Sequence, residues 1–497
     1  MKIPSPFPLV IAGVVSSVAG LFPVHATEVA STGLPLLFMS ATDAREASGT
    51  LRFQANPLQY LGKIQRSTIH PTEFGDLFTP QETQEGPTPP MRALLSVPDP
   101  RGGYTVYFSK HHASVYDTTG NLGGTRASWT IYRAYTPDGH EMFDLQPVFK
   151  SPPADGRWML ETMMVQRADT GQIYQFVWSR DVPQGKDKLA IMRGFVSPDG
   201  EHWKPLKDGG ALLRDHDAFG VIWDEPTHGF IDYQTTKQYL KSPKPFPDNA
   251  GPLERRVMSI RTSKDGLSWD RVEDASVTHT LKGVDGTILP DGIDGMDVEF
   301  YRMHGFSYYG RYVAMMDLYA GSLFHPGTHG NHLALEWWVS GDGIHWDRNW
   351  RGQDAGAATG YMIKMAPMHI GREMLWWITD EVWGLPEQRI ASVGSLSNAS
   401  FRTAAFKMPS TPLLLNATIP PGRGLFQQAY VMAEVLDADG HVVPGYEKEK
   451  CVLRSRDDTR LPLRWESRDA TELSGQNVSL RFYMRDSRLY AVTTEQP

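Results

Sequence analysis

The chain lacks several features that mark large classes of protein. Its 497 residues include a single cysteine, Cys451, which excludes an intramolecular disulfide and a cysteine-based metal site. Basic residues are not in excess, since 49 Lys and Arg stand against 57 Asp and Glu, for a formal net charge of -8. That balance argues against a nucleic-acid-binding surface, so no nucleic-acid partner is expected. No window shows a sustained helical period, which favours an all-β chain.

Only the N-terminal region carries a long apolar run. Lys2 precedes an apolar stretch from Leu9 to Phe22, which is too short for a comfortable membrane span, and Val24-His25-Ala26 fits the small-x-small cleavage rule. The pattern predicts a signal peptide over residues 1–26, cleaved near Ala26, and a secreted or periplasmic protein. An uncleaved anchor is the alternative. No later segment is apolar enough to cross a bilayer, so no membrane span is expected.

One short sequence motif is repeated along the middle of the chain. Its core is Ser/Thr-x-Asp-Gly, followed in three copies by a Trp. The copies are Thr136–Gly139, Ser197–Trp203, Ser263–Trp269 and Ser340–Trp346. An Asp side chain accepts hydrogen bonds from amides two residues on, and Gly accepts positive φ, so each copy predicts a tight turn between strands. The aspartates of these turns are therefore expected to be structural, and four copies at a regular interval indicate a repeat architecture.

The segments around the turns have the composition of short strands, rich in aromatic and β-branched residues. Grouped by the turns, they predict five four-stranded blades closed around an axis, which removes exposed sheet edges. The predicted blades cover residues 92–150, 157–208, 217–275, 294–351 and 360–407. The fifth lacks the Trp turn, and Ser395–Asn398 is interpreted as its degenerate form. A strand within residues 33–65 could close the ring.

A chain of this length is expected to hold two or more domains. Residues 27–91 are interpreted as an N-terminal extension with the ring-closing strand, and residues 92–408 as the propeller. Residues 409–497 follow a Pro-rich boundary and alternate with Asp-Gly and Pro-Gly turns, which predicts a β-sandwich. The predicted fold class is therefore all-β: a five-bladed β-propeller followed by a small C-terminal β-sandwich.

Two clusters of acids precede the first strands of adjacent predicted blades. The clusters are Arg214–Asp224 and Asp294–Tyr301. Short inner strands would direct Asp217 and Glu299 into one central funnel, with Asp297 beside them in sequence. Glycosidic bond cleavage needs one protonated and one charged carboxylate, so these three are candidate catalytic residues. The alternatives are solvated loop acids or ligands of a structural cation.

Other residues expected near the propeller axis are candidate substrate-binding residues. They are Trp158, His216, Trp223, Arg255, Arg256, Tyr301 and His329. Trp158 could stack on a sugar face or pack in the core. The Arg255-Arg256 pair could bind an acidic or hydroxylated substrate, or lie in solvent. The histidines around His329 do not have the spacing of a zinc site, so no cofactor and no metal centre is expected, and a structural calcium ion remains open.

Together these motifs resemble the five-bladed propeller glycoside hydrolases of the invertase, levanase and arabinanase group, in a divergent bacterial secreted branch with a C-terminal β-sandwich. The resemblance is carried by the repeated turns, Asp217–Asp224, Arg255-Arg256, Asp297–Tyr301 and Asp437–Gly440. It implies that Asp217 stabilises the transition state and that Glu299 is the general acid. No Trp-x-Asn-Asp-Pro-Asn-Gly motif opens the first blade and no Glu-Cys-Pro surrounds Glu299, so the first acid is unassigned.

The leading hypothesis is a secreted glycoside hydrolase that cuts a polysaccharide or oligosaccharide with axial carboxylates. The first alternative is a non-catalytic carbohydrate-binding propeller, which the missing first acid favours. The second is a polysaccharide lyase, in which His216 or Tyr301 would act as the base and Arg255 would neutralise a uronate.

Overall fold

The chain folds almost entirely into β-strands. The structure is a computed structural model that describes residues 33–66, 81–83, 86–88, 91–111, 129–150, 158–180, 190–215, 219–239, 254–271, 287–288, 294, 298–320, 331–356, 363–422 and 428–494. Short 3-10 helices cover Ala41–Asp43, Leu206–Gly209, Lys448–Lys450 and Ala470–Leu473. Within these ranges, none of the helices has the length and apolar character needed to cross a membrane.

The N-terminal region contributes strands to several different sheets. These strands are β1 (Leu36–Leu37), β2 (Arg45–Ser48), β3 (Arg52–Ala55), β4 (Gln59–Lys63), β5 (Gln65–Arg66), β6 (Gln81–Thr83) and β7 (Gly86–Thr88). Strands β6 and β7 pair only with each other among the described strands. The others join the larger sheets described next.

Strands β8 to β28 build five antiparallel sheets, named sheet one to sheet five. Sheet one holds β8 (Arg92–Pro98), β9 (Tyr104–His111), β10 (Trp129–Thr136) and β11 (Glu141–Lys150). Sheet two holds β12 (Trp158–Gln166), β13 (Ile173–Arg180), β14 (Ala190–Ser197) and β15 (Lys204–Pro205), with β16 (Leu213–Asp215) paired to β14. Sheet three holds β17 (Phe219–Asp224), β18 (Gly229–Tyr239), β19 (Glu254–Ser263) and β20 (Asp270–Arg271), with β21 (Thr287–Ile288) paired to β19.

Sheets four and five complete this set. Sheet four holds β22 (Val298–Tyr308), β23 (Arg311–Ala320), β24 (Asn331–Ser340) and β25 (Trp346–Asp347). Sheet five holds β26 (Met368–Ile370), β27 (Glu373–Ile378) and β28 (Glu381–Pro386), and takes β4 as its fourth strand.

The five sheets close into a ring with their first strands innermost. Strand β8 contacts β12, β12 contacts β17, β17 contacts β22, and β26 contacts β8. Separate apolar clusters fill the spaces between sheets one and two, two and three, and three and four. A larger cluster, which includes Phe108, Trp337 and Trp376, joins sheets four, five and one. Since every neighbouring pair of sheets shares buried apolar side chains, the arrangement is a β-propeller.

The N-terminal region links the last sheet of the ring to the first. Strand β4 pairs antiparallel with β28, where Lys63 lies opposite Glu381. Strand β5 then pairs parallel with β11, where Gln65 lies opposite Glu141. These strands fall in the region, residues 33–65, where the sequence analysis places a ring-closing strand.

The propeller ends earlier than the sequence analysis predicts. Residues 391–407, assigned from sequence to the fifth blade, form β29 (Ala391–Ser395), β30 (Ala399–Arg402) and β31 (Phe406–Lys407), all of which pair with strands of the sandwich. Ser395–Asn398 is therefore a link between the two sandwich sheets and not a degenerate Trp turn. The reason is that β4 occupies the fourth position of sheet five, so no strand after Pro386 can pair there.

The sandwich consists of two six-stranded sheets and includes N-terminal strands. Its remaining strands are β32 (Leu413–Ile419), β33 (Tyr430–Leu436), β34 (Val452–Leu453), β35 (Arg456–Pro462), β36 (Asn477–Arg485) and β37 (Ser487–Thr494). One sheet has the order β3-β29-β37-β32-β35 with β1 on β37, and the other has the order β2-β30-β36-β33-β34 with β31 on β36. Between them Phe38 lies edge-on to Phe401 and Phe482, with ring centroids 5.2 and 5.8 Å away.

Hydrogen bonds from backbone amides build the repeated Asp-Gly turns. In the copy after β14, the Gly200 amide donates to Ser197 Oγ at 2.8 Å. The amides of Glu201 and His202 donate to Asp199 Oδ1 at 2.9 and 2.8 Å. The His202 and Glu201 amides thereby hold the pKa of Asp199 below its usual range. The turn aspartates are structural, as the sequence analysis expects.

Each turn also docks on the second strand of the preceding sheet. The Tyr233 hydroxyl in sheet three donates to the Gly343 carbonyl of the turn in sheet four, at 2.6 Å. Trp377 Nε1 in sheet five donates to the Gly139 carbonyl of the turn in sheet one, at 2.8 Å. The turns of sheets two and three border sheets one and two in the same way. Four turns therefore hold four of the five junctions between sheets.

Candidate functional site

The N-terminal ends of the inner strands define one end of the propeller axis, called the mouth below. The mouth lies where the longest inner strands begin, at Trp158 of β12 and Val298 of β22, whereas the short β26 begins only two residues before the hairpin at the opposite end. The Asp-Gly turns lie at the opposite end, because Ser197 at the end of β14 is opposite Ile173, whereas Trp158 is opposite Arg180. The predicted site residues at inner-strand starts belong to the mouth.

Glu299, the second residue of β22, is buried at the mouth in an ion pair. Its side chain is 1% exposed, and Arg256 of β19 donates Nη1 to its Oε2 at 2.7 Å. Burial of a carboxylate is costly unless the charge is paired and hydrogen-bonded. The guanidinium favours the charged form of the carboxyl group. The pair also joins sheet three to sheet four.

An aromatic ring lies beside this ion pair. The ring centroids of Tyr301 and Tyr319 are 4.7 Å apart. The guanidinium carbons of Arg256 and Arg302 lie 5.3 and 5.0 Å from the Tyr301 centroid, within cation–π range. The Thr235 hydroxyl donates to the Tyr301 carbonyl, a second link between sheets three and four. The mouth thus combines a carboxylate, two guanidiniums and an aromatic ring, groups that can bind a hydroxylated ligand.

Deeper along the same strands lie buried charged residues that the sequence analysis missed. Arg302 of β22 is opposite Asp317 of β23, and Asp232 of β18 is opposite Arg261 of β19. All four side chains are buried. The sequence carries a signal for the acids, because each interrupts an apolar strand, as in the run Met315–Tyr319. An acid buried in a central strand is expected to be paired or functional.

Side chains and backbone close the axis below the mouth. Lys364, just before β26, is 5% exposed, and its Nζ donates to the Thr162 carbonyl oxygen of β12 at 3.4 Å. Sheets five and two are not neighbours in the ring, so this side chain reaches across the axis. Gly220 of β17 lies so close to β22 that a Cβ there would be 2.0 Å from the Met303 carbonyl oxygen. The inner strands of sheets three and four can approach this closely only with glycine at that position.

The first acid of the second predicted cluster is held in a structural network. Asp294 accepts hydrogen bonds from Arg348 Nη1 at 2.7 Å and from Arg351 Nη1 at 3.3 Å. Arg348 also donates Nε to Glu336 Oε2 at 2.9 Å. These bonds hold Asp294 to the segment that follows β25.

Several predicted site residues cannot be compared with the structure. Asp217, Asp297, His216 and His329 lie outside the described residues, and their roles stay predictions. For Trp158 and Arg255 the structure describes the backbone, in β12 and β19.

The predicted substrate-binding role of Trp223 is wrong. Trp223 lies near the C-terminal end of β17, away from the mouth, and its buried ring packs on Phe230 with centroids 5.0 Å apart. Its Nε1 donates to Glu225 Oε2 at 2.8 Å. Strand alternation directs this side chain, like that of Phe219, into the core between sheets two and three.

Of the predicted residues, the structure brings together Glu299, Arg256 and Tyr301. The resemblance implies that Glu299 is the general acid, and that role stays a prediction. In the described geometry the carboxyl group would have to separate from Arg256 before it could donate a proton. The arrangement is better suited to a carboxylate that remains charged.

Comparison with known proteins adds distant structural likenesses. No family model and no curated protein matches the sequence. An N-acetylgalactosamine deacetylase from F. plautii, solved with blood group B trisaccharide, is 12% identical with a TM-score of 0.38, covering 88% of this chain and 96% of that one. A family 117 glycoside hydrolase from Zobellia galactanivorans is 10% identical with a TM-score of 0.36, covering 70% and 84%.

A third similar structure is an α-L-arabinanase from Penicillium chrysogenum, complexed with arabinobiose. It is 9% identical with a TM-score of 0.35, and the match covers 69% of this chain and 82% of that one. Likenesses at this level establish neither a family nor an activity for this chain. The fold described above rests on its own sheets and core clusters.

Proposed function

We propose that this protein is a secreted or periplasmic glycoside hydrolase that cleaves a polysaccharide or oligosaccharide at the mouth of the propeller. The observation that carries the proposal is the group formed by Glu299, Arg256 and Tyr301 at the start of β22. A buried carboxylate next to an aromatic ring and guanidiniums provides a charged group for catalysis and polar and aromatic groups that hold a sugar ring. The predicted signal peptide over residues 1–26 supports the location.

The roles of the acids follow from the requirements of glycosidic cleavage. The reaction needs one carboxylic acid that protonates the leaving oxygen and one charged carboxylate that acts as nucleophile, as base or by stabilising positive charge on the sugar. Glu299, paired with Arg256, fits the charged role. In this scheme the proton donor is Asp217 or Asp297, the two other acids predicted at the mouth. This assignment revises the role that the resemblance implies for Glu299.

The proposal is tested with purified protein on a panel of neutral and acidic polysaccharides. Reducing ends and the absorbance of unsaturated uronates are recorded in parallel. We expect reducing ends without unsaturated product, and loss of at least about 100-fold in turnover in Glu299→Gln and in one of Asp217→Asn and Asp297→Asn, the variant that removes the proton donor. Glu373→Gln is the matched control, because Glu373 is exposed at the end of sheet five opposite the mouth. Thermal melting of each variant checks that it is folded.

Two outcomes would overturn the hydrolase proposal. Full turnover in all three carboxylate variants would place the chemistry away from the mouth. Unsaturated uronate products would identify a lyase, in which Arg255 or Arg256 neutralises the substrate carboxylate.

The second candidate is a carbohydrate-binding propeller without activity. The ion pair of Glu299 with Arg256 favours it, because a carboxylate engaged in this way can be purely structural. Binding of a polysaccharide without turnover, weakened in Tyr301→Ala, would support this candidate over the hydrolase.

A further inference from the structure

A cavity, called the junction cavity below, lies where the propeller meets the sandwich. Its volume is about 390 Å³, and its walls come from the β22–β23 and β26–β27 hairpins, the turn after β28, and strands β35 and β37. The residues that matter for its chemistry are Tyr308, Tyr309, His369, Arg372, Glu387 and Arg460. Ligand pockets commonly have volumes of roughly 300–1,000 Å³, so this cavity is large enough for a small ligand.

This junction cavity is separate from the mouth. Tyr308 and Glu299 lie at opposite ends of β22, nine residues apart. At the rise of a strand this separation is about 30 Å. A ligand in the junction cavity therefore does not touch the groups at the mouth.

The carboxylates of the junction cavity are already engaged. Glu387 accepts hydrogen bonds from the Tyr309 hydroxyl and from His369 Nδ1, the latter at 3.1 Å. Asp458, beside the cavity, pairs with Arg372 Nη1 at 3.4 Å and accepts the Arg460 amide at 3.0 Å. Burial and the bonded Glu387 raise the pKa of Tyr309, so its proton stays in place. These acids have little capacity left to accept hydrogen bonds from a ligand.

The other polar groups of the cavity that can contact a ligand are hydrogen-bond donors. Arg460 lines the cavity and is exposed, and Arg372, which pairs with Asp458, lines the same cavity. The Tyr308 hydroxyl is buried, and no described residue accepts or donates a hydrogen bond to it. Burial, and then the nearby Glu387, raise the pKa of Tyr308, so the hydroxyl keeps its proton and can donate it. Thr459 adds a further hydroxyl.

We propose that the junction cavity binds a small hydroxylated carboxylate, of the class of a uronic acid residue. The planar guanidinium of Arg460 can bind a carboxylate in a bidentate manner, which an ammonium group cannot do. The hydroxyls of Tyr308 and Thr459 match the ring hydroxyls of a sugar. The cavity volume fits a single such unit better than an extended chain.

Calorimetric titration of the purified full chain tests this proposal, with D-galacturonate as the probe. D-galactose and sodium sulfate are the comparison ligands, because they share only the hydroxyls or only the anionic charge. We expect galacturonate to bind, galactose and sulfate to bind at least tenfold more weakly, and Arg460→Ala to weaken galacturonate at least tenfold. Arg456→Ala is the matched control, since Arg456 is an exposed arginine on the same strand, outside the cavity.

A second set of variants separates this site from the mouth. Tyr308→Phe removes only the buried hydroxyl and is expected to weaken galacturonate binding several-fold, while Glu299→Gln is expected to leave it unchanged. No galacturonate binding, equal binding of sulfate or galactose, or equal binding by Arg460→Ala overturns the proposal. Binding that is lost in Glu299→Gln and kept in Arg460→Ala would place the sugar at the mouth instead. All of these outcomes are measured as binding, so none of them depends on whether the protein hydrolyses glycosides.

Discussion

At the scale of single residues, the ion pair between Glu299 and Arg256 is the feature with the largest consequences. Glu299 is almost completely buried, and the partner that neutralises it comes from a different sheet. The pair therefore contributes both to the charge at the mouth and to the contact between sheets three and four. A functional and a structural role can be separated by comparing stability with activity.

A double-mutant cycle measures the structural role of the pair. Arg256→Met removes the guanidinium that pairs with a buried carboxylate and is expected to lower the free energy of unfolding by about 3 kcal/mol. Arg256→Met combined with Glu299→Gln removes both charges and is expected to recover most of that loss. Urea unfolding of the wild type, the two single variants and the double variant measures the coupling. Additive effects of the two substitutions would contradict the pairing.

At the scale of elements, the repeated turn serves both as a hairpin and as a contact between sheets. Gly200 has a φ of 76°, and a Cβ there would lie 2.0 Å from the Tyr107 hydroxyl oxygen of sheet one. Positive φ alone would require glycine or a residue that tolerates strain. The close approach of Tyr107 adds a second requirement, which comes from the neighbouring sheet.

The contribution of that contact can be measured with two glycine variants. Gly200→Ala is expected to lower the free energy of unfolding by about 2–4 kcal/mol, because backbone strain and the clash with Tyr107 add. Gly171→Ala is the matched control: its φ is 71°, it lies in a hairpin of the same sheet, and no atom lies within 4 Å of the added Cβ. Denaturant unfolding of both variants gives the difference. Equal losses would show that the contact with sheet one contributes nothing.

At the scale of the whole molecule, one N-terminal segment belongs to both parts of the fold. Strands β1, β2 and β3 are in the sandwich, β4 is in sheet five and β5 is on sheet one. Strand β29, which directly follows sheet five, pairs with both β3 and β37. The N-terminal segment consequently contributes strands to both the propeller and the sandwich, and β29 enters the sandwich directly after sheet five.

This sharing predicts cooperative unfolding. We expect a single calorimetric transition for the full chain, with equal calorimetric and van't Hoff enthalpies, because neither part can unfold without disturbing β3, β4 and β29. Differential scanning calorimetry is the measurement. Two resolved transitions would mean that the propeller and the sandwich unfold independently.

The sequence predicts best those structural features that depend on residues close together in the chain. The repeated turn motifs predict hairpins, because Ser, Asp and Gly form the turn within four residues. The regular spacing of these motifs along the chain predicts the propeller. The boundary at residue 408 was wrong because the pairing of β4 with β28 joins residues more than 300 positions apart. At the mouth, the sequence indicated Glu299, Arg256 and Tyr301 separately. It did not indicate Lys364, whose role depends on a contact across the axis.

The sequence by itself determined the all-β class and the Asp-Gly turns, because each depends on side chains close together in the chain. The tertiary structure decided which strand closes the ring, which acid is neutralised by an arginine from a neighbouring sheet, and where the junction cavity forms. Those features arise from contacts between residues far apart in sequence. The free energy of such contacts depends on the distance between the groups in space, and the strand pattern of the sequence does not specify that distance.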